Sequence, residues 1–294
     1  MRVTDAMIFQ DAVTQDQAAN ARLAAATAQV SSGLVLQHPG DDPSGAGLVV
    51  QYQSAIQQAT AIGGAAGAAA DELSTASGAL TGVSNALSSL SQLAVQMASG
   101  TYSASDRAGA APQAQQLLTT IVADLNVKVG NRYLFAGTAD GTQPFDATGA
   151  YSGDAGVRQV EIAPGVYQAS SVRADVALKG VGGGVDVMSA ITGLVSALQT
   201  NSTAGIQAAI PLLQQGITQV AAAQSQAGAS MDAFDTAVAT SKSATQDLTT
   251  LSSKLTDADT IQAASSLALA QNALQASLTA TSQSLQLSLL NYIK

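Results

Sequence analysis

The chain's one histidine, His38, lies three and four residues before Asp41 and Asp42. An imidazole beside a carboxylate is the pairing that general-base chemistry uses, but it also needs a nucleophile to act on. Neighbouring loop residues of these types more often cap a helix, and that is the role expected here. Asp71-Glu72 and Asp257/Asp259 are paired carboxylates that could bind a metal or donate a proton. Adjacent helical residues do not share a face, and neither pair has a histidine or a third acid close in sequence. They read as solvated positions or salt bridges. Asp106-Arg107 reads as a helix start with an acid in its first turn, and offers an ion pair to another subunit. Asn201-Ser202-Thr203 matches a glycosylation sequon, a pattern frequent by chance. Gly182-Gly183-Gly184 lacks the lysine and spacing of a phosphate loop and reads as a hinge. No catalytic set, cofactor site or metal site is predicted, and the chain is not read as an enzyme.

Composition narrows the function classes further. Eleven basic and 20 acidic residues give a net charge of −9, with no basic cluster anywhere. Nucleic acid and anionic membrane surfaces are therefore disfavoured as partners. The absence of cysteine excludes disulfides, thiolate zinc sites and a thiol nucleophile. Acids stand in the first eleven residues where a secretion signal would have its apolar core, and no run nears the roughly 18 apolar residues of a membrane span. Export, if it occurs, is expected without a cleaved signal peptide.

The elements that would position these residues are long helices. A 3-4 spaced stripe runs through Tyr52, Ala55, Ala59, Ile62, Ala66, Ala69, Leu73, Ala76, Leu80, Val83, Leu87, Leu90, Ala94 and Met97. That spacing holds one side of an α-helix over about 75 Å. A second stripe runs through Met231, Phe234, Val238, Ser241, Thr245, Leu248, Ser252 and Leu255. Residues 1–36 read as a helix loosened or ended at Ser31-Ser32-Gly33; Asp42 and Pro43 open the long helix, which stops near Gly100. Ser103 or Ser105 caps a further helix to about Val129, kinked at Pro112 or beginning there. From Gly130 to Gly184 glycine, proline and aromatic residues gather. Alternation at Val160/Ile162 and Val172/Ala174/Val176, with Pro164-Gly165 between, predicts strands. Helix resumes at Val185, with a break at 201–203.

The expected fold is mainly α, an elongated antiparallel bundle or coiled coil built from both chain ends, with a small β-rich insertion. Three domains are expected. Residues 1–42 with 260–294 form a terminal helical domain, 43–130 with 185–259 a long-helix rod, and 131–184 the outer insertion.

Residues 43–70, 73–105, 187–231 and 260–293 carry no Asp, Glu, Lys or Arg. Solvent-facing helices normally carry charge, whereas Ala, Ser, Thr and Gln can be covered at small desolvation cost. Repeated subunit packing fits these stretches better than compositional bias. The predicted contact face is Phe9, Val13, Leu23, Val30 and Leu34 at one end and Leu267, Leu274, Leu278, Leu285, Leu289 and Tyr292 at the other. A membrane-surface helix would want basic residues on its polar face, and only Lys294 is at hand.

These residues resemble a known family. Ser31-Ser32-Gly33 followed by Pro39-Gly40-Asp41-Asp42-Pro43 is similar to the amino-terminal signature of flagellin-family proteins. Its Asp-Asp-Pro form is closer to the hook–filament junction members than to filament subunits. Gly130-Asn131-Arg132-Tyr133-Leu134-Phe135-Ala136-Gly137, Leu274-Gln275-Ala276-Ser277-Leu278 and Leu287-Ser288-Leu289-Leu290-Asn291-Tyr292 are similar to further family segments in the same order. Val35-Leu36-Gln37 and Ala111-Pro112-Gln113 depart from the usual pattern.

The resemblance implies a structural subunit of the bacterial flagellum, exported through its type III channel and located outside the cell. Implied partners are hook-associated protein 1, flagellin, a dedicated export chaperone and like copies in a ring. It implies an inner tube of terminal helices, a layer of long helices and an outer insertion. The alternatives are a filament subunit and a non-flagellar coiled-coil adaptor or adhesin.

Overall fold

A computed structural model describes the backbone of residues 5–292, and the side chains of that span apart from 5, 6, 8 and 284–292. Among the described residues, seven helices and four short strands follow one another. They are α1 Asp5–Ser32, α2 Pro43–Ala98, α3 Ala104–Leu125, β1 Lys128–Val129, β2 Arg132–Tyr133, β3 Gln159–Ala163, β4 Val166–Ala169, α4 Ala174–Lys179, α5 Val187–Gln199, α6 Thr203–Thr256 and α7 Thr260–Tyr292. The helical fold with a small β insertion is the one expected. The chain divides into two compact units, one of residues 1–58 with 244–294 and one of residues 59–243.

In the second unit α2 and α6 run antiparallel, Gly63 beside Ser241, Gly67 beside Val238, and Thr81 accepting a 3.1 Å hydrogen bond from Gln224. Ten successive stripe positions from Ala66 to Met97 are buried, and Phe234 is wholly buried on α6. The heptad period survives because each of those side chains meets the facing helix or the helices beside it. Antiparallel packing of α3 and α5 extends the core through Leu118, Ile121, Leu125, Ile191, Leu194 and Leu198.

Helix ends follow local chemistry. Gly33 takes φ +71°, so α1 ends at Ser32, and of the two expectations for Ser31-Ser32-Gly33 it is the ending of the helix that the structure shows. Ser103 and Asp106 form a reciprocal capping box, which starts α3 at Ala104. Pro112 therefore lies inside α3, on its exposed side, and does not begin it. Asn126 ends that helix four residues earlier than the sequence pattern predicted, freeing Lys128-Val129 to pair with Arg132-Tyr133.

The insertion holds less sheet than expected. β3 and β4 form one hairpin about Gly165, φ +76°. The alternation at Val172, Ala174 and Val176 belongs to no strand. Residues 174–179 are the short helix α4, closed by Gly180 in the left-handed region. The insertion is organised around aromatic residues. Phe135 and Phe145 are fully buried, and the Phe145 ring lies 5.0 Å from that of Tyr151. The Tyr151 hydroxyl donates to the backbone carbonyls of Phe135 and Asp154 at 3.1 and 3.0 Å.

Burial, with the nearby carboxylates of Asp175 and Asp154, pushes the Tyr151 phenol up to about 12. A phenol whose pKa is raised on folding contributes stability that is fully present below the unfolded value near 10. That contribution is lost as pH rises through about 12. Thermal melts from pH 9 to 12 are expected to fall more steeply for the wild type than for Tyr151→Phe.

Candidate assembly interface

The first and last helices pair with each other inside the first unit. At the base, Ala258 N donates to Gly33 O and Val35 N to Thr256 O, both 2.8 Å, around a Leu34–Asp257 bridge. Asp259 caps α7 by accepting from the amides of Ile261 and Gln262 at 2.9 and 3.2 Å. Farther along, the Ser277 hydroxyl donates to the Asp16 carboxylate, which fixes α1 and α7 as antiparallel.

The seam between them is narrow and made mostly of small residues, with leucines between them. On α1 the covered positions include Ala12, Asp16, Ala19, Leu23 and Ala26; on α7 they are Ala263, Leu267, Ala270, Leu274, Ser277 and Thr281. Each set has 3-4 spacing, the pattern of a two-helix coil. Of the predicted contact face, Leu23, Leu267 and Leu274 lie in this seam and Val13 lies half-buried beside it. Phe9, Val30, Leu34 and Leu278 remain exposed, Phe9 to 54% and Leu278 to 51%. The side chains of Leu285, Leu289 and Tyr292 lie outside the described ones. Leu269, expected from the sequence beside this face, is 66% exposed, and Ile261, which the apolar stripe does not include, is 82% exposed. The uncharged character of residues 260–293 was the signal that could have found Ile261.

Several hydroxyls on these helices are satisfied within their own helix. Thr14, Thr27, Ser31 and Thr279 each donate to the carbonyl four residues earlier, at 2.7 to 2.8 Å. A face whose polar groups already have partners can be covered with little desolvation penalty.

The groups that could have carried chemistry hold local structure instead. The Asp41 carboxylate accepts from the amides of His38 and Gln37 at 2.8 and 3.1 Å, bonds that hold it below the usual carboxylate range. Asp42 accepts from the hydroxyl and amide of Ser44 at the head of α2, and it too is lowered, first by that hydroxyl. Asp71 is exposed. Glu72 is not simply solvated: it pairs with Arg132 and, at 3.1 Å, with Arg158, tying α2 to β2 and to the start of β3. Asp257 sits in the base bridge and Asp259 is a cap, as above.

Arg107 corrects the sequence reading. It is 5% exposed and makes no ion pair to offer another subunit. Its Nε donates to Met97 O at 2.8 Å, its Nη2 to Ser99 O at 2.9 Å and its Nη1 to Asn201 Oδ1 at 2.7 Å. The guanidinium closes the carboxyl end of α2 and holds the α5–α6 turn, where Asn201 adopts φ +53°. The sequon asparagine is thus part of a clasp. No group of three or more His, Cys, Asp or Glu suited to a metal occurs among the described residues. Nor is any described helix long and apolar enough to cross a membrane.

The bacterial flagellin N-terminal helical region matches residues 4–140, and the bacterial flagellin C-terminal helical region matches residues 210–293. The chain belongs to the bacterial flagellin family. Flagellar hook-associated protein 3 of Salmonella typhimurium is 31% identical over 158 residues, 52% of this chain and 49% of that protein. The chain thus aligns with about half the length of that relative. Among solved structures, a flagellar hook-associated protein from Vibrio parahaemolyticus has a TM-score of 0.65 at 23% identity, covering 74% of this chain and all of its own. FlgL of Bacillus cereus has a TM-score of 0.56 at 18% identity, covering 68% and 99%. Hook-associated protein 3 of Legionella pneumophila has 0.58 at 16%, covering 70% and 97%. These structures share the fold.

Within this flagellin-family chain the two matched regions contain both partners of the α1–α7 coil, and α2 with α6 from residue 210 onward. The segment between them, residues 141–209, includes the β3–β4 hairpin, α4 and α5. Pairing of the first helix with the last thus lies within the regions that define the family.

Proposed function

We propose that this flagellin-family chain is a structural subunit of the junction between the flagellar hook and filament, and that α1 and α7 supply its polymer contacts. One observation carries the reading. The coil made by the two helices spends its small residues on its own seam and leaves Phe9, Ile261, Leu269 and Leu278 outside. Burying each such side chain is worth about 1.5–3 kcal/mol, so an uncovered array of them favours association. The likeness to hook-associated protein 3 of Salmonella typhimurium supports the junction as the place of that association.

On this reading the partners are further copies of the chain, hook-associated protein 1 on one side and flagellin on the other. An export chaperone masks the α7 face beforehand. The terminal helices form the inner tube, the long helices the next layer and residues 131–184 the outer surface. The protein acts outside the cell, as a structural component and not as an enzyme.

Removal of residues 267–294 is expected to leave a soluble chain that does not join the axial structure. Electron microscopy of cells carrying only that variant should show bare hooks, with flagellin shed into the medium. Normal filaments on such cells would overturn the proposal. The flagellin regions themselves favour one second reading, a filament subunit. Quantitative mass spectrometry separates the two, since a filament subunit accumulates to thousands of copies per flagellum and a junction subunit to few.

A further inference from the structure

We infer that Asp16 is the residue that selects the register of the α1–α7 coil. Along the described seam it is the one ionisable side chain among Ala12, Ala19, Leu23 and Ala26 on α1 and Ala263, Leu267, Ala270, Leu274, Ser277 and Thr281 on α7. Its partner, the Ser277 hydroxyl, is a donor aimed at the carboxylate. Counting outward from that contact along the antiparallel pair sets Ala19 against Leu274, Leu23 against Ala270 and Ala26 against Leu267. Each leucine meets an alanine.

The apolar pattern alone does not choose this alignment. Both stripes repeat every seven residues, so a slip by one repeat, about 10 Å, again sets small residues against large ones. The base bridge opposes that slip with two backbone hydrogen bonds, around Leu34 and Asp257. The slip that moves Ser277 away sets Asp16 against Ala270, a methyl group with no proton to offer. The slip therefore leaves a half-buried carboxylate without a donor, a cost added to the loss of both bridge bonds, and a single polar seam residue specifies register at some cost in stability.

Register decides where the exposed side chains lie. With α1 fixed, one slip carries Ile261, Leu269 and Leu278 about 10 Å along Phe9. If the coil is the assembly element proposed above, Asp16 thereby sets the array that a second copy meets.

The chain has no cysteine, so paired cysteines report register without background. Ala19→Cys with Leu274→Cys probes the observed alignment, and Ala19→Cys with Leu267→Cys the slipped one; a disulfide tolerates far less than a 10 Å shift. On the purified monomer with mild oxidant, only the first pair is expected to crosslink, and Asp16→Asn should preserve that result. Asp16→Leu is expected to raise the yield of the slipped pair at least tenfold. The inference is overturned if the Asp16→Leu chain crosslinks only the observed pair, or if it crosslinks neither pair. Both readouts come from the isolated chain, so a failure of the junction reading would leave them unchanged.

Discussion

Replacing Arg107 by alanine is expected to destabilise the residue 59–243 unit by about 3 kcal/mol or more, measured by urea unfolding followed with far-ultraviolet circular dichroism. Three hydrogen bonds from a charged donor vanish together, and the Met97 and Ser99 carbonyls at the end of α2 lose the group that satisfies them. The third bond reaches across the chain to Asn201, so the α5–α6 turn loosens with the helix end. Arg107→Lys should recover less than half of the loss. A lysine presents one point of charge, while the three acceptors are arranged around a planar fork. Asn201→Ala should cost less than Arg107→Ala. In the double variant the two losses should fall short of additivity, because both remove the same bond. Additive losses would show that the clasp does not act as a unit.

A comparable loss, about 3–5 kcal/mol, is expected for Phe135→Ala. The ring is fully buried, and the residues on either side, Leu134 and Ala136, are buried with it. Their backbones are engaged as well: Leu134 N donates to Val127 O, Phe135 O accepts from Tyr151, and Ala136 O accepts from Asp154 N. Deleting the ring therefore opens a cavity in a region that cannot easily close around it. Partial proteolysis should then release peptides from residues 128–173 well before peptides from α2. Equal resistance of wild type and variant would mean that the insertion is held by something other than its aromatic centre.

Much of the fold could be read from residue order because long helices repeat their instructions. The stripe from Ala66 to Met97 states the same face ten times, and every one of those positions is buried. Short elements state theirs once. Val172, Ala174 and Val176 alternate over five residues, too few to separate a strand from the six-residue helix α4; Gly180, which takes φ +72°, was the better sign. Arg107 was misread for a different reason. Its acceptors are two carbonyls and an asparagine 94 residues away, none of which leaves a charge pattern in the sequence. Glu72 is similar, with arginine partners 60 and 86 residues distant. At the candidate interface, apolar content pointed to the right helices. It did not tell Leu274, which α1 half covers, from Leu278, which stays exposed.

The close approach at Gly63 constrains how this chain can change over generations. A methyl group there would lie 3.1 Å from the Ser241 β-carbon, whereas one on the adjacent Gly64 would meet nothing within 4 Å. Substitution should drift freely at residue 64. At residue 63 it should be admitted only alongside a compensating reduction at residue 241, so descendants that enlarge one position carry a trace of it in the other, 178 places along the chain.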